Sequence, residues 1–164
     1  MIVMGYPGIG KTTYAKEDKS FAIDLESSLF PDKEQYVDVA INLEAQGYIV
    51  FVSCHDEVCD LLIKKALPEV ELAICYPSPE LLLEWDVRLR KRVIFDPSEK
   101  NKAAYQRFGE HFLDDIYNFD KNEKFNQFTK IRLSSPKYRF ITYRAYKYPY
   151  GNNVVRKLDV EHID

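Results

Sequence analysis

No apolar run in this sequence approaches the length needed to cross a bilayer, so no membrane-spanning helix is expected. Cysteine is scarce. Cys54, Cys59 and Cys75 are an odd number without metal-site spacing, and Cys54 and Cys75 fall in apolar runs. Both are expected to be small buried hydrophobes in a reducing compartment. A basic excess is also missing: 23 Lys and Arg face 26 Asp and Glu, a net charge of -3. That balance argues against a general nucleic-acid coating role while leaving room for a local basic patch. There is no internal repeat, no low-complexity linker and no signal-peptide pattern at the start. The expectation is an intracellular, cytoplasmic protein with no membrane partner and no domain upstream.

What is present fits one globular domain over residues 1–164. The chain is 46% hydrophobic and 30% charged, long enough for a good core and short for two domains. Short apolar runs alternate with helical stretches. Met1–Met4 reads as a buried strand, Phe21–Asp24 as a second and Tyr48–Ser53 as a third. Val70–Cys75 and Thr129–Leu133 follow as the fourth and fifth. Between them, helices are expected over Lys33–Gln46 with Gly47 as C-cap, over Asp56–Ala66, over Pro79–Arg92 and over Asn101–Phe119. The last should bury Tyr105, Phe108, Phe112, Leu113 and Ile116 on roughly one face. Strand–helix alternation implies parallel strands with right-handed crossovers and helices on both faces, an α/β fold.

The densest chemical signal is Gly5-Tyr-Pro-Gly-Ile-Gly-Lys-Thr-Thr13, which satisfies G-x-x-x-x-G-K-[ST] through Gly5, Gly10, Lys11 and Thr12. A strand before and a helix behind are the context a phosphate-binding loop needs. Small residues let consecutive amides turn inward around an anion. Gly8, Ile9, Gly10, Lys11, Thr12 and Thr13 would form the cradle. Lys11 would reach the β- and γ-phosphates of ATP, and the Thr12 hydroxyl would ligate Mg²⁺.

With that loop so early in the chain, the order of elements resembles the small P-loop kinases, the nucleoside and nucleotide monophosphate kinases and their shikimate- and gluconate-kinase relatives. Small phage-encoded deoxynucleotide kinase-like proteins look especially similar. The resemblance spans roughly residues 1–135. It implies a three-layer α/β/α fold with a parallel five-stranded sheet in the order 2-3-1-4-5, and an arginine-bearing helical lid over about residues 79–102. It also implies an acceptor site over the carboxyl ends of the strands.

Asp24 ends the second strand, where the related kinases use an acid to orient the magnesium shell or the acceptor hydroxyl; its alternative is to cap the next turn with Ser27. After the third strand the position of a Walker-B acid is held by Ser53, with Asp56 three residues on, which equally suits an N-cap. His55 could touch the acceptor or donate to phosphate. In Trp85–Arg92, Arg88 and Arg92 share a helix face and Arg90 points elsewhere; guanidiniums in a closing lid would stabilise charge on a phosphoryl group in transfer. The bland alternative is a solvated basic helix end. Residues 93–100 would be the hinge. Tyr76 and Trp85 could wall the acceptor pocket or simply fill the core. By position, residues 134–137 would hold the donor base.

The tail, residues 138–164, holds five tyrosines among basic residues between 138 and 150. It reads as an amphipathic extension at the sheet edge, or as a stacking surface for bases.

The function expected from these residues is ATP- and Mg²⁺-dependent phosphoryl transfer to a small acceptor, a nucleoside monophosphate or deoxynucleotide foremost. Lys11, Asp24, Arg88 and Arg92 would be catalytic and Asp24, His55, Tyr76, Trp85 and Arg90 would bind substrate. A nucleotide-binding regulator or NTPase, and a kinase of nucleic-acid 5′ ends, are the competing expectations.

Overall fold

Five strands that are short and rich in Val, Ile, Leu and Ala come together because none can bury both of its faces alone. The computed structural model describes residues 1–17 and 19–135. Its order is β1 (Ile2–Gly5), α1 (Lys11–Glu17), β2 (Ala22–Asp24), α2 (Lys33–Ala45), β3 (Ile49–Ser53), α3 (Asp56–Lys65), β4 (Leu72–Pro77), α4 (Leu82–Phe95), α5 (Glu99–Lys121) and β5 (Thr129–Leu133). Single 3₁₀ turns at Ser27–Leu29, Pro79–Leu81 and Glu123–Gln127 join some of these.

All strand pairs are parallel and the sheet order is β2-β3-β1-β4-β5. The register levels the carboxyl ends at the centre of the sheet: Gly5 stands opposite Ser53 on one side and Cys75 on the other. Helices flank the sheet, with α2 packed against α3 and α4 against α5. Ile2, Val3 and Met4 are buried along with Val50, Phe51, Val52, Ala73 and Ile74. Among the described residues no helix is long and apolar enough to cross a membrane.

Local chemistry explains the helix ends. Asp32 caps α2 by accepting from the Gln35 amide at 2.7 Å, and the chain leaves α2 through Gly47 at φ +92°. Asp56 and Glu57 lie in the first turn of α3, Lys64 and Lys65 in its last, the charge order that the helix dipole favours. His55 occupies the N-cap of α3, so the expectation that Asp56 caps this helix is not met. Asp56 instead pairs with Lys124, which ties α3 to the turn before β5.

Two further expectations need correction. Leu113 is exposed, because the buried row of α5 runs through Asn101, Phe108, Phe112, Asp115, Ile116 and Phe119. The connection expected over residues 93–100 is only three residues long. α4 runs on to Phe95, α5 starts at Glu99, and the Asn101 amide ties the corner by donating to both the Asp96 carbonyl and carboxylate at 2.8 Å. The edge extension or base-stacking surface expected over residues 138–164, and positions 136 and 137 of the expected donor-base loop, lie outside the described residues.

Candidate functional site

At the carboxyl ends of the strands, where an open parallel sheet leaves a crevice between diverging connections, lies a cleft of about 550 Å³. Its floor is the glycine-rich loop from Gly5 to Thr13. Gly8 and Gly10 adopt φ +90° and +92°, the left-handed region that glycine tolerates and side chains resist. The loop is also tight. A Cβ on Gly5 would sit 2.6 Å from Lys11 Cδ, and one on Gly8 would sit 3.1 Å from Trp85 Nε1. Lys11 folds back so that its ammonium donates to the Gly5 carbonyl at 2.7 Å. Burial holds its pKa below the ordinary lysine value; Cys54 and Asp24 oppose that lowering, and Lys100 and Arg92 add to it.

Asp24 reaches the same floor from the end of β2. The Thr12 hydroxyl donates to its carboxylate at 2.5 Å, joining α1 to β2. Asp24 is thus engaged with the loop, and its side chain does not cap the turn at Ser27–Leu29, whose N-cap is Glu26. Tyr36 from α2 sets the height of this corner: its hydroxyl donates to the Leu25 carbonyl at 3.0 Å and accepts from the Ser53 amide at 2.9 Å.

The helical wall is pinned to the loop rather than hanging free of it. Trp85 is fully buried and donates through Nε1 to the Pro7 carbonyl at 2.8 Å. Arg88 lies over the Trp85 ring at 4.0 Å and donates to the Gly8 carbonyl at 3.1 Å. Arg88 and Arg92 both line the cleft, with Leu89. Arg90 does not. It turns outward and pairs with Asp86, whose other oxygen accepts from Tyr105 at 2.8 Å.

Tyr76 is likewise outside the cleft lining. It is buried, with its hydroxyl on Asp120 at 2.5 Å, in a tie completed by Arg132 that joins β4, α5 and β5. Trp85 serves as a brace behind the loop and not as an acceptor wall. Both rings are buried, Tyr76 against Phe119 of α5 and Trp85 behind the glycine-rich loop, and neither lines the cleft.

His55 does line the cleft, where desolvation and then the charges of Arg107, Lys33 and Lys11 hold its imidazole below its ordinary value. Cys54, expected to be a buried core residue, also lines the cleft and is partly exposed. Cys59 and Cys75 are buried.

Residues passed over in the sequence complete the site. Lys100, Ala103, Ala104 and Arg107 line the cleft from α5. Their i, i+3, i+4, i+7 spacing makes them one helical stripe, with small residues between two cations. That periodicity was the available signal, but attention to apolar spacing hides a stripe whose ends are charged. Lys100 pairs with Glu26 across the cleft, from α5 to the segment after β2. Ser53, level with Gly5, has a buried Oγ without a hydrogen-bond partner.

Among the described residues no group of three or more His, Cys, Asp or Glu side chains is placed to hold a metal ion. Mg²⁺ does not need one. It keeps several waters and takes one or two protein oxygens, so the adjoining hydroxyl of Thr12 and carboxylate of Asp24 are a donor set that fits it. No family model, curated protein or solved structure matches the chain.

Proposed function

We propose that this protein is an ATP- and Mg²⁺-dependent phosphotransferase acting on a small acceptor, with nucleoside monophosphates and deoxynucleotides as the first candidates. One observation carries the reading: Lys11, the Thr12–Asp24 pair, Arg88 and Arg92 converge on one cleft floored by a loop with two left-handed glycines. Such a loop directs amides at an anion and leaves no Cβ in the way. The donor phosphates would lie along Gly8–Thr13.

Lys11 would exchange the Gly5 carbonyl for phosphate oxygens. The trade is favourable, since an uncharged carbonyl compensates a buried ammonium less than an oxyanion does. Thr12 and Asp24 would hold Mg²⁺, which would supply charge neutralisation to the phosphates. Arg88 and Arg92 present planar, permanently charged groups from above. Phosphoryl transfer spreads charge over equatorial oxygens and calls for positioning and neutralisation more than for a strong base. The absence of an acid at Ser53 is compatible with that chemistry, because Asp24 supplies the carboxylate.

The test is product analysis with purified protein, ATP and Mg²⁺. Formation of ADP only when an acceptor is added supports the reading. Release of ADP and free phosphate without any acceptor would instead assign the cleft to a hydrolase, and no turnover together with no ATP-analogue binding would remove the reading altogether.

A further inference from the structure

We infer that the outer side of α4 is the surface through which two copies of this chain pair, the two helices lying antiparallel about a two-fold axis near Val87. This stands whether or not the protein transfers phosphoryl groups.

A helix packed on a domain by one side ordinarily turns polar residues to water. α4 does not. It buries Trp85 and Leu89, yet Leu83 is 76% exposed, Val87 47% and Ile94 68%. At 100° per residue these three fall within about 40° of one another, on the side opposite Trp85 and Leu89. Arg90 is the one charge inside that stripe. Asp86 of the same helix answers it, and Tyr105 occupies the other carboxylate oxygen. α5 runs back along α4 and adds the exposed Leu113 and Tyr117 toward its Leu83 end. A contiguous apolar surface of this kind on a folded domain marks a contact waiting for its partner.

Charge identifies the partner. Glu84 and Lys91 are exposed and flank the stripe on one side, the acid toward the amino end of α4 and the base toward its carboxyl end. Seven positions apart, they lie about 10 Å from each other along the helix, too far to pair within it. Neither has an ion-pair partner among the described residues. An antiparallel second copy reverses the order. Glu84 then meets Lys91 of the second copy, twice by symmetry, while Leu83 meets Ile94 and Val87 meets its own equivalent. A surface that complements itself under a two-fold rotation is what an isologous dimer requires. A partner of unrelated sequence would have no need of that sign reversal. Arg88 and Arg92 leave α4 on the other side, toward the cleft, so pairing uses the back of this wall.

The experiment measures the mass of the full chain by sedimentation equilibrium from about 1 to 100 μM, since the assembly of protomers follows concentration. A reversible dimer is expected. Val87→Glu sets two like charges together on the axis and should raise the dissociation constant at least about 100-fold. Val87 is exposed, so melting curves taken where native and variant chains are both monomeric serve as the control for folding. Leu67→Glu, an exposed apolar site away from α4, should shift the constant by less than about twofold.

The sharper test is a pair of charge reversals. Glu84→Lys and Lys91→Glu should each weaken pairing about tenfold, because symmetry makes every substitution count twice. The double variant should return to within about threefold of the native chain. That rescue demands that the two positions meet between copies, as they cannot meet within one helix. A monomer at every concentration overturns the inference. So do masses that keep growing beyond two copies, a dimer that Val87→Glu leaves intact, and charge reversals that the double variant does not rescue.

Discussion

The two walls of the cleft are made in opposite ways. The floor and β2 side are local: nine consecutive residues, Gly5 to Thr13, form the loop and start α1, and the partner from β2, Asp24, lies 12 positions from Thr12. The α4–α5 wall is long-range. Trp85 meets Pro7 across 78 positions, Arg88 meets Gly8 across 80, and Lys100 meets Glu26 across 74. A loop that must adopt left-handed backbone needs glycine at set positions, so its shape is imposed by residue type. A helix can offer either of two charged faces. Which face meets the cleft is settled by the core it packs on.

The contrast can be broken or sharpened by substitution. The largest effect is expected at the joint between the walls. Trp85→Ala should cost about 3–5 kcal/mol of stability, the range for removing a fully buried large aromatic, and should also weaken ATP-analogue binding by loosening the loop. Trp85→Phe, which keeps most of the volume and loses the bond to Pro7, should cost less. Chemical denaturation with binding measured in parallel separates the two losses; full analogue affinity in a destabilised Trp85→Ala protein would show that the loop stands without its brace.

Next is Lys11→Ala. It should reduce ATP-analogue affinity by about 100-fold, as expected for loss of a charged group that pairs with phosphate, with the melting temperature nearly preserved. Unaltered affinity would remove Lys11 from the donor site.

Gly8→Ala sits at the contact itself. A φ of +90° and a Cβ at 3.1 Å from Trp85 Nε1 predict about 1–3 kcal/mol of destabilisation. Gly109→Ala is the control: a Cβ there meets nothing within 4 Å, and replacing glycine inside α5 should stabilise by up to about 1 kcal/mol. The sign of the two changes in thermal melts tests whether glycine is required by the approach of α4 or merely tolerated.

The smallest effects are expected at two charges of α4, Arg90 and Arg92. Arg92→Ala should lower turnover about tenfold and ATP-analogue affinity much less, the pattern of a contact made in the transition state. Arg90→Ala, whose partner is Asp86 on the outer side, should change turnover by less than about twofold and stability by under about 1 kcal/mol. Comparable turnover losses at 90 and 92 in steady-state kinetics would mean that the helix as a whole, and not the face it turns to the cleft, carries the effect.

Much of this was legible beforehand. The five strands and the parallel α/β arrangement follow from short buried runs alternating with helical stretches. Lys11, Thr12 and Asp24 were read from the loop motif and from a strand that ends on an acid, and the structure brings them together. The separation of Arg88 and Arg92 from Arg90 was also legible, because residues four apart share a helical face. Tyr76 and Trp85 were ambiguous, since an aromatic beside a strand end suits a pocket wall and a core equally. Burial decided for the core. Arg107 was missed because its helix was read from the apolar row, and Lys100 because it fell in the stretch expected to be a hinge; Ser53 was noticed only as the residue standing where a Walker-B acid would be.

The sequence by itself determined the glycine-rich turn, its lysine and threonine, and the alternation that makes a parallel sheet, since backbone sterics and hydrophobic period act over a few residues. Only the tertiary structure decided which cations share the cleft, that Trp85 and Arg88 clasp the loop, and that Arg107 is held by Asp115. Those outcomes depend on how α4 and α5 seat on the sheet, and that seating is fixed by the simultaneous packing of side chains far apart in the chain.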